Sequence, residues 1–563
     1  MEKKKKLIIL GVILLLIIVS GATFAILTWN STMIKLGINT NCFTINYTKG
    51  NNITGSLKLI NEEDLISNGK FTIKEGVGVS AVNIGINSNC SIEGYGRILF
   101  NVTNISSAFI TGDSKGALKY AVLNNTSSIT DIKSITSTSL NSQSFDIVAM
   151  GSITSGGVKD ILVRQLSNTE LYKYIIVIYV DNNLAGNDIT EGVFTGNISA
   201  DATQGLINAD YTLNRLYNLN NSIVLDTTHT PDFTTVSGNN GEDNNNNTGL
   251  GDGTNGIYKS EDDFGTSYYF RGAVENNYVK FADFYWRIIR INGDGSIRMI
   301  YAGTSAHTNG ESGTDSRIGT SKYNVNYQDN GYVGYMYGNF TTPTNCNTDN
   351  STVITTCTGG STSYEEAHAN INNSTIKTYI DRWYNNNLKD YAYAIADTIY
   401  CNDRSVTPVE SFAGIALTGT GKGMENTAYS GLTRGYISHN PSLKCVNKND
   451  RFTVKNSIGN AKLINPIGLI SSDEVIMGGL TNYDFVNKAY IANPDSYLTT
   501  DYWYWTLTPL GAAGDAAVFS VRSDFLIAGV NVNNSWGVRP VVSLSSDAIS
   551  GGSGTMSDPF TVS

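Results

Sequence analysis

The sequence predicts a mainly β protein with minor α content: an N-terminal membrane helix, a β-sandwich, a flexible linker and a larger α+β domain. Three observations carry this. Leu7 to Trp29 is 23 residues without a charge, long enough to span a bilayer. Residues 30–230 are short alternating or β-branched runs broken by Asn, Gly and Ser turns, as in half-buried sheets. Helical periodicity is confined to short stretches beyond residue 370.

Composition agrees. The 563 residues suffice for two to four domains, with 40% hydrophobic and only 16% charged residues. The 32 Tyr suit strands and contact surfaces. Net charge is −10, and residues 1–6 carry four Lys and one Glu, which leaves −13 on the remainder. No basic stripe is present to neutralise phosphates, which argues against a nucleic-acid partner.

Residues 1–6 form a basic cytoplasmic tail, and the cluster Lys3–Lys6 orients the span 7–29 with its N-terminus inside. Ser20-Gly21-Ala22 and Thr23-Phe24-Ala25 also offer small residues to a signal peptidase. Either way the bulk is exported. The apolar residues continuing through Trp29 favour a retained single-pass anchor.

In 30–230 the strand candidates are Gly55–Ile60, Phe71–Ile73, Ala81–Ile86, Arg97–Val102, Lys119–Leu123, Tyr172–Val180 and Val193–Thr203. Ile98, Phe100 and Val102 alternate with polar neighbours, whereas Tyr174–Val180 is continuously apolar, as a central strand should be. The spacing predicts a jelly-roll or immunoglobulin-like sandwich. Residues 231–256, rich in Asn and Gly, are a flexible linker. The aspartates beside it lack calcium-loop spacing.

Residues 257–563 form the second domain. Tyr278–Ile291 is expected as one strand, Asn292-Gly293-Asp294-Gly295 as a turn and Ser296–Tyr301 as the return. Residues 303–362 are irregular. Ser374 caps a helix Thr375–Leu388 with Ile376, Ile380, Trp383 and Leu388 on one face. Ser471 and Glu474 make a capping box for a short helix ended by Gly478-Gly479.

Six cysteines on the exported side suggest disulfides. Local pairing gives Cys42–Cys90, Cys346–Cys357 and Cys401–Cys445, with six free thiols as the alternative. No C-x-x-C or H-E-x-x-H occurs, and His229, His307, His368 and His439 are far apart, so neither metal site nor cofactor is expected. Two titratable clusters stand out. Glu365-Glu366 with His368 fits a solvated helix start, and Asp403-Arg404 fits a structural ion pair beside a disulfide.

The opening Gly21–Ala25 and the closing Gly196–Ala200 of the first domain loosely resemble camelysin/TasA-like surface and biofilm-fibre proteins. In the second domain, Tyr268–Gly272, Phe284–Ser296, Tyr504–Pro509 and Asn531–Pro540 resemble an uncharacterised domain family of Gram-positive surface proteins. That family looks like the C-type-lectin fold, as used by formylglycine-generating-enzyme-like domains. Thr506 and Thr508 replace variants that include an Arg, so no role of that Arg transfers. The cysteine pair and histidine sets of the family's enzymes are absent, as are the calcium motifs of animal lectins.

The resemblance implies a binding face on the loops between the final strands. The candidate ligand-binding residues are Trp503, Tyr504, Trp505, Asp515, Asn531, Asn533, Asn534 and Trp536, with Arg539 pinning the loop to the sheet. Aromatic rings and side-chain amides are the usual components of such surfaces. The expected function is a membrane-anchored extracellular adhesin whose head binds a glycan or protein. The alternatives are a self-assembling fibre subunit and a glycan-processing enzyme.

Overall fold

The computed structural model describes residues 25–29, 43–50, 53–88, 94–125, 132–167, 170–204, 206–233, 255–310, 313–348, 354–412, 415–417, 419–482, 496–523 and 526–562. The chain is mainly β and divides into two compact units. One comprises Met1–Ile207 with Lys389–Ala394, the other Asn208–Leu388 with Ile395–Val562.

In the first unit two sheets share a core. One has the order Gly157–Leu166, Gly94–Ile105, Val193–Gln204, Ala25–Trp29, Thr54–Leu57. The other runs Phe43–Lys49, Gly78–Ser88, Leu171–Asp181, Leu118–Asn124, Ser144–Ser152, Lys70–Thr72, Ile66–Ser67. Ile98, Phe100, Phe194 and Ile198 of the first sheet meet Ile84, Val122, Ile176 and Ile178 of the second. On the far face of the second sheet Ile175, Val177 and Tyr179 enter another apolar cluster with Phe71, Leu123 and Ile147. Leu171–Asp181 is therefore central and covered on both faces, which is why Tyr174–Val180 carries no polar alternation.

The expected span 7–29 is shortened. Ala25–Trp29 is a strand, parallel to Val193–Gln204 and antiparallel to Thr54–Leu57. Backbone paired within a sheet cannot also end a bilayer helix, so the apolar run before the sheet stops at Phe24. Met1–Phe24 lie outside the described residues. Among the described residues no helix is long and apolar enough to cross a membrane.

The second unit begins earlier than residue 257. Helix Ala209–Leu219 is capped by Asn208 and belongs here. Its Thr212 hydroxyl donates to the Gly295 carbonyl at 2.6 Å, and Arg215 donates to the Ile549 carbonyl at 2.9 Å. One sheet is built on Gly256–Asp262, Gly265–Arg271, Phe284–Ile291 and Ile297–Gly303. A second is built on Ser535–Gly537, Tyr504–Ala513, Asp515–Val521 and Leu526–Asn531.

Tyr278–Ile291 is not one strand. Phe281 pairs with Phe284 across a turn at Ala282 and Asp283, both at positive φ (51° and 64°). Two consecutive left-handed residues make a hairpin turn, usually signalled by Asn or Gly, and Ala-Asp gives no such signal. The Asn292–Gly295 turn, the Ser374 cap and the Ser471/Glu474 capping box all form.

That capping box does more than start a helix. Glu474 is buried, and its Oε1 lies 2.9 Å from Arg290 Nε and 2.5 Å from Arg298 Nε. Arg290 also reaches Asp262 at 2.6 Å. The helix Ser472–Met477 is thereby tied to strands Phe284–Ile291, Ile297–Gly303 and Gly256–Asp262. Burial alone would push the Glu474 carboxyl up, but Arg298 and Arg290 overcome it and hold it below the ordinary carboxylate range.

Glu474→Gln leaves Arg298 buried beside a neutral amide, at an expected cost of about 3–5 kcal/mol, measured as a lowered urea midpoint at pH 7. In the parent protein the stability due to Glu474 is present above its unfolded pKa and disappears as acidification carries the pH through the lower folded value. The pH dependence of the midpoint below about pH 4 should therefore be shallower in the variant.

Candidate functional site

The aromatic block Tyr502–Trp505 divides. Tyr504 and Trp505 lie in the strand Tyr504–Ala513 and are fully buried. Trp505 Nε1 donates to the Ser321 carbonyl at 2.8 Å, with its ring edge-on to Tyr323. Tyr504 donates to the Leu498 carbonyl at 2.9 Å, beneath the Arg539 guanidinium. These two candidate ligand contacts are therefore core residues. The sheet is covered on both faces here, so successive side chains are both enclosed, and the sequence pattern does not distinguish this from one exposed face.

Trp503 precedes the strand and is half-exposed. It stacks on Trp536, with centroids 4.8 Å apart and planes at 23°, and the Arg522 guanidinium lies 5.0 Å from the Trp503 centroid. The Trp503 ring thus has both an indole and a guanidinium partner. Trp536, half-exposed in the short strand Ser535–Gly537, has no second ring or cation partner among the described residues. The turn before it presents Asn533 half-exposed and Asn534 exposed. Asn531 donates to Asp515 at 2.9 Å, and partial burial raises the Asp515 carboxyl above its usual range. Nearby, Arg317 lies 4.4 Å from the Tyr502 centroid, and the Tyr502 hydroxyl is 2.8 Å from that of Ser316.

The segment Thr508–Asp515 is mostly strand, irregular in register at Pro509, with a turn at Gly514 (φ 83°). Gly511 is required because a Cβ there would lie 2.5 Å from the Thr427 carbonyl of the adjoining strand. Thr506 and Thr508 face inward. The Thr506 hydroxyl donates to the Phe519 carbonyl at 2.7 Å, and that of Thr508 accepts from the Ser472 amide at 2.9 Å. Arg539 does pin the loop, donating to the Tyr301 carbonyl at 3.0 Å.

The two titratable clusters do not converge. Glu366 accepts from the Thr362 amide at 2.6 Å and hydroxyl at 2.7 Å in the first turn of a short helix. His368 is buried, its Nε2 between the Gly421 carbonyl (3.1 Å) and the Tyr429 hydroxyl (3.3 Å). Asp403 and Arg404 are not partners, contrary to expectation. Arg404 pairs with Asp450 at 2.5 Å and Asp403 with Arg434 at 2.6 Å. The backbone sends these neighbouring side chains apart, as alternation in an extended segment does.

Beside them Cys401 and Cys445 form a disulfide with S–S 2.06 Å. Cys42 and Cys90, and the side chains of Cys346 and Cys357, lie outside the described residues. A cavity of about 30 Å3 opens next to the disulfide, lined by Asp262, Arg290, Asp403, Arg434 and Asp473 among others. Arg434 fills much of its polar wall by bonding Asp473 at 2.7 Å as well as Asp403. That volume suits a water molecule, not a sugar. Among the described residues no group of three or more His, Cys, Asp or Glu is placed to hold a metal ion.

No protein-family model, curated protein or solved structure matches this chain.

Burial, reinforced by Arg404, holds the His368 imidazole well below its ordinary pKa, and the Gly421 carbonyl only partly opposes this. The folded protein keeps this side chain neutral, while the unfolded chain binds a proton below about pH 6.5. Stability should therefore fall on acidification by about 1.4 kcal/mol per pH unit below that point. His368→Asn should remove this component of the dependence in urea unfolding followed from pH 7 to pH 5.

Proposed function

We propose that the chain is an exported, membrane-tethered surface protein whose second unit is a recognition head, C-type-lectin-like in fold, that binds a glycan. The observation that carries the binding reading is the indole stack. Trp536 is a half-exposed ring stacked on Trp503, which Arg522 contacts in turn, and it follows Asn533 and Asn534 in the chain. Sugars present apolar C–H faces with hydroxyls at their edges. A rigid indole supplies area at little entropic cost, and neighbouring amides satisfy the hydroxyls. The ligand-binding group proposed from the sequence thus narrows to Trp503, Asn533, Asn534 and Trp536, with Asp515 and Asn531 as supports.

Export is supported by the basic tail before the apolar run Leu7–Phe24. The Cys401–Cys445 disulfide supports an oxidising compartment. An 18-residue run meets the length needed for a bilayer span.

A second reading has its own observation. In the first unit the ten-residue strand Gly157–Leu166 lies at the end of its sheet order and carries Val158, which is 65% exposed. A long edge of this kind is a template for pairing with another chain. It favours the self-assembling alternative and the camelysin/TasA-like likeness of this unit.

A glycan array probed with the purified chain should show binding that Trp536→Ala reduces about 30-fold or more, the scale of a 2 kcal/mol contact, with little change in thermal midpoint. Absence of glycan binding, together with concentration-dependent polymers that Val158→Lys abolishes in sedimentation, would select the fibre reading instead.

A further inference from the structure

Lysine seldom lies fully inside a protein. Lys377 does: on the helix Thr375–Asn387 its side chain is 1% exposed. Its Nζ is 2.6 Å from Asp381 Oδ2, one turn further along. A pair at this spacing usually stabilises a solvated helix face, but here it is turned inward, with Tyr335 6.0 Å from the ammonium. The other oxygen of the same carboxylate, Asp381 Oδ1, accepts from Asn465 Nδ2 at 3.1 Å. Asn465 is itself 8% exposed. One carboxylate thus contacts a primary amine through one oxygen and a carboxamide through the other.

We propose that Lys377 and Asn465 become joined by an intramolecular amide bond, with Asp381 as the catalytic residue. The reaction begins with proton transfer from Lys377 Nζ to Asp381, which leaves a neutral amine and a carboxylic acid. The amine attacks Asn465 Cγ, forming the Nζ–Cγ bond. Asp381 then delivers a proton to Nδ2, the Cγ–Nδ2 bond breaks and ammonia leaves. Nζ gives up two protons in all. One departs with the ammonia, and one rests on Asp381 until solvent removes it. No oxidant or other co-reactant is needed. Holding both reactants in contact with the acid–base group supplies the proximity that this slow reaction lacks in solution.

The following residue strengthens the case. An Asn side chain ordinarily cyclises onto the next backbone nitrogen. Asn465 is followed by Pro466, whose nitrogen carries no hydrogen, so that competing route is closed. The bond would tie the helix Thr375–Asn387 to the segment that enters the sheet at Gly468, which bridges Val541.

The test is the mass of the full chain, purified and reduced, followed by tryptic mapping. The cross-link lowers the mass by about 17 Da, one ammonia. It also yields a branched peptide joining the Lys377 and Asn465 segments, with no cleavage after Lys377. Lys377→Arg and Asp381→Asn should each restore the linear peptides. The parent protein is itself decisive, whatever the variants do to folding. Linear peptides cut at Lys377 with an intact Asn465 amide would overturn the proposal and leave the three residues as an ion pair and a hydrogen bond.

Discussion

Glu474 is where the second unit is held together. Its carboxylate receives Arg290 and Arg298 from neighbouring strands and closes the N-terminal turn of its own helix through the Ser471 amide at 2.9 Å. Each role alone is ordinary. Their coincidence means that helix and strands cannot shift independently, because any displacement strands a buried charge. Other arginines extend the principle. Arg271 donates to the carbonyls of Ile476 and Met477 at the end of that helix, both at 3.0 Å. Arg287 binds Asn277 and the Val274 carbonyl, and burial lowers its pKa to about 10. The low overall charge of the chain conceals this, since many of its arginines are structural and directed inward.

What the sequence discloses follows from how local each signal is. The capping box at Ser471, the cap at Ser374 and the Asn292–Gly295 turn are written within four residues and form as expected. The continuous apolar run Tyr174–Val180 announced a strand with two covered faces. The failures are non-local. Nothing near Ala282 and Asp283 marks a turn, because it is imposed by the pairing of the flanking strands. The burial of Trp505 depends on a segment more than a hundred residues away, including Ser321 and Tyr323. Asp403 and Arg404 are adjacent in sequence, yet their partners lie 31 and 46 residues distant.

The same distinction shapes the candidate site. Composition identified a stretch rich in aromatics and amides, but could not say which rings were scaffold. Once Tyr504 and Trp505 are assigned to the core, the surface element reduces to a ladder of Arg522, Trp503 and Trp536. Contacts of this kind restrict the freedom of the rings they join. The sequence offers no spacing rule for them, because Trp503 and Trp536 meet through strands that pair in space.

The strand Ala25–Trp29 bears on mechanics. It is hydrogen-bonded on both sides, to Val193–Gln204 and to Thr54–Leu57, and the chain before it leads towards the proposed tether. Tension applied along this strand is shared among many parallel rungs at once, whereas a terminal tail would peel away one bond at a time. Force applied at the start of this strand would therefore be delivered to the interior of a sheet rather than to its edge.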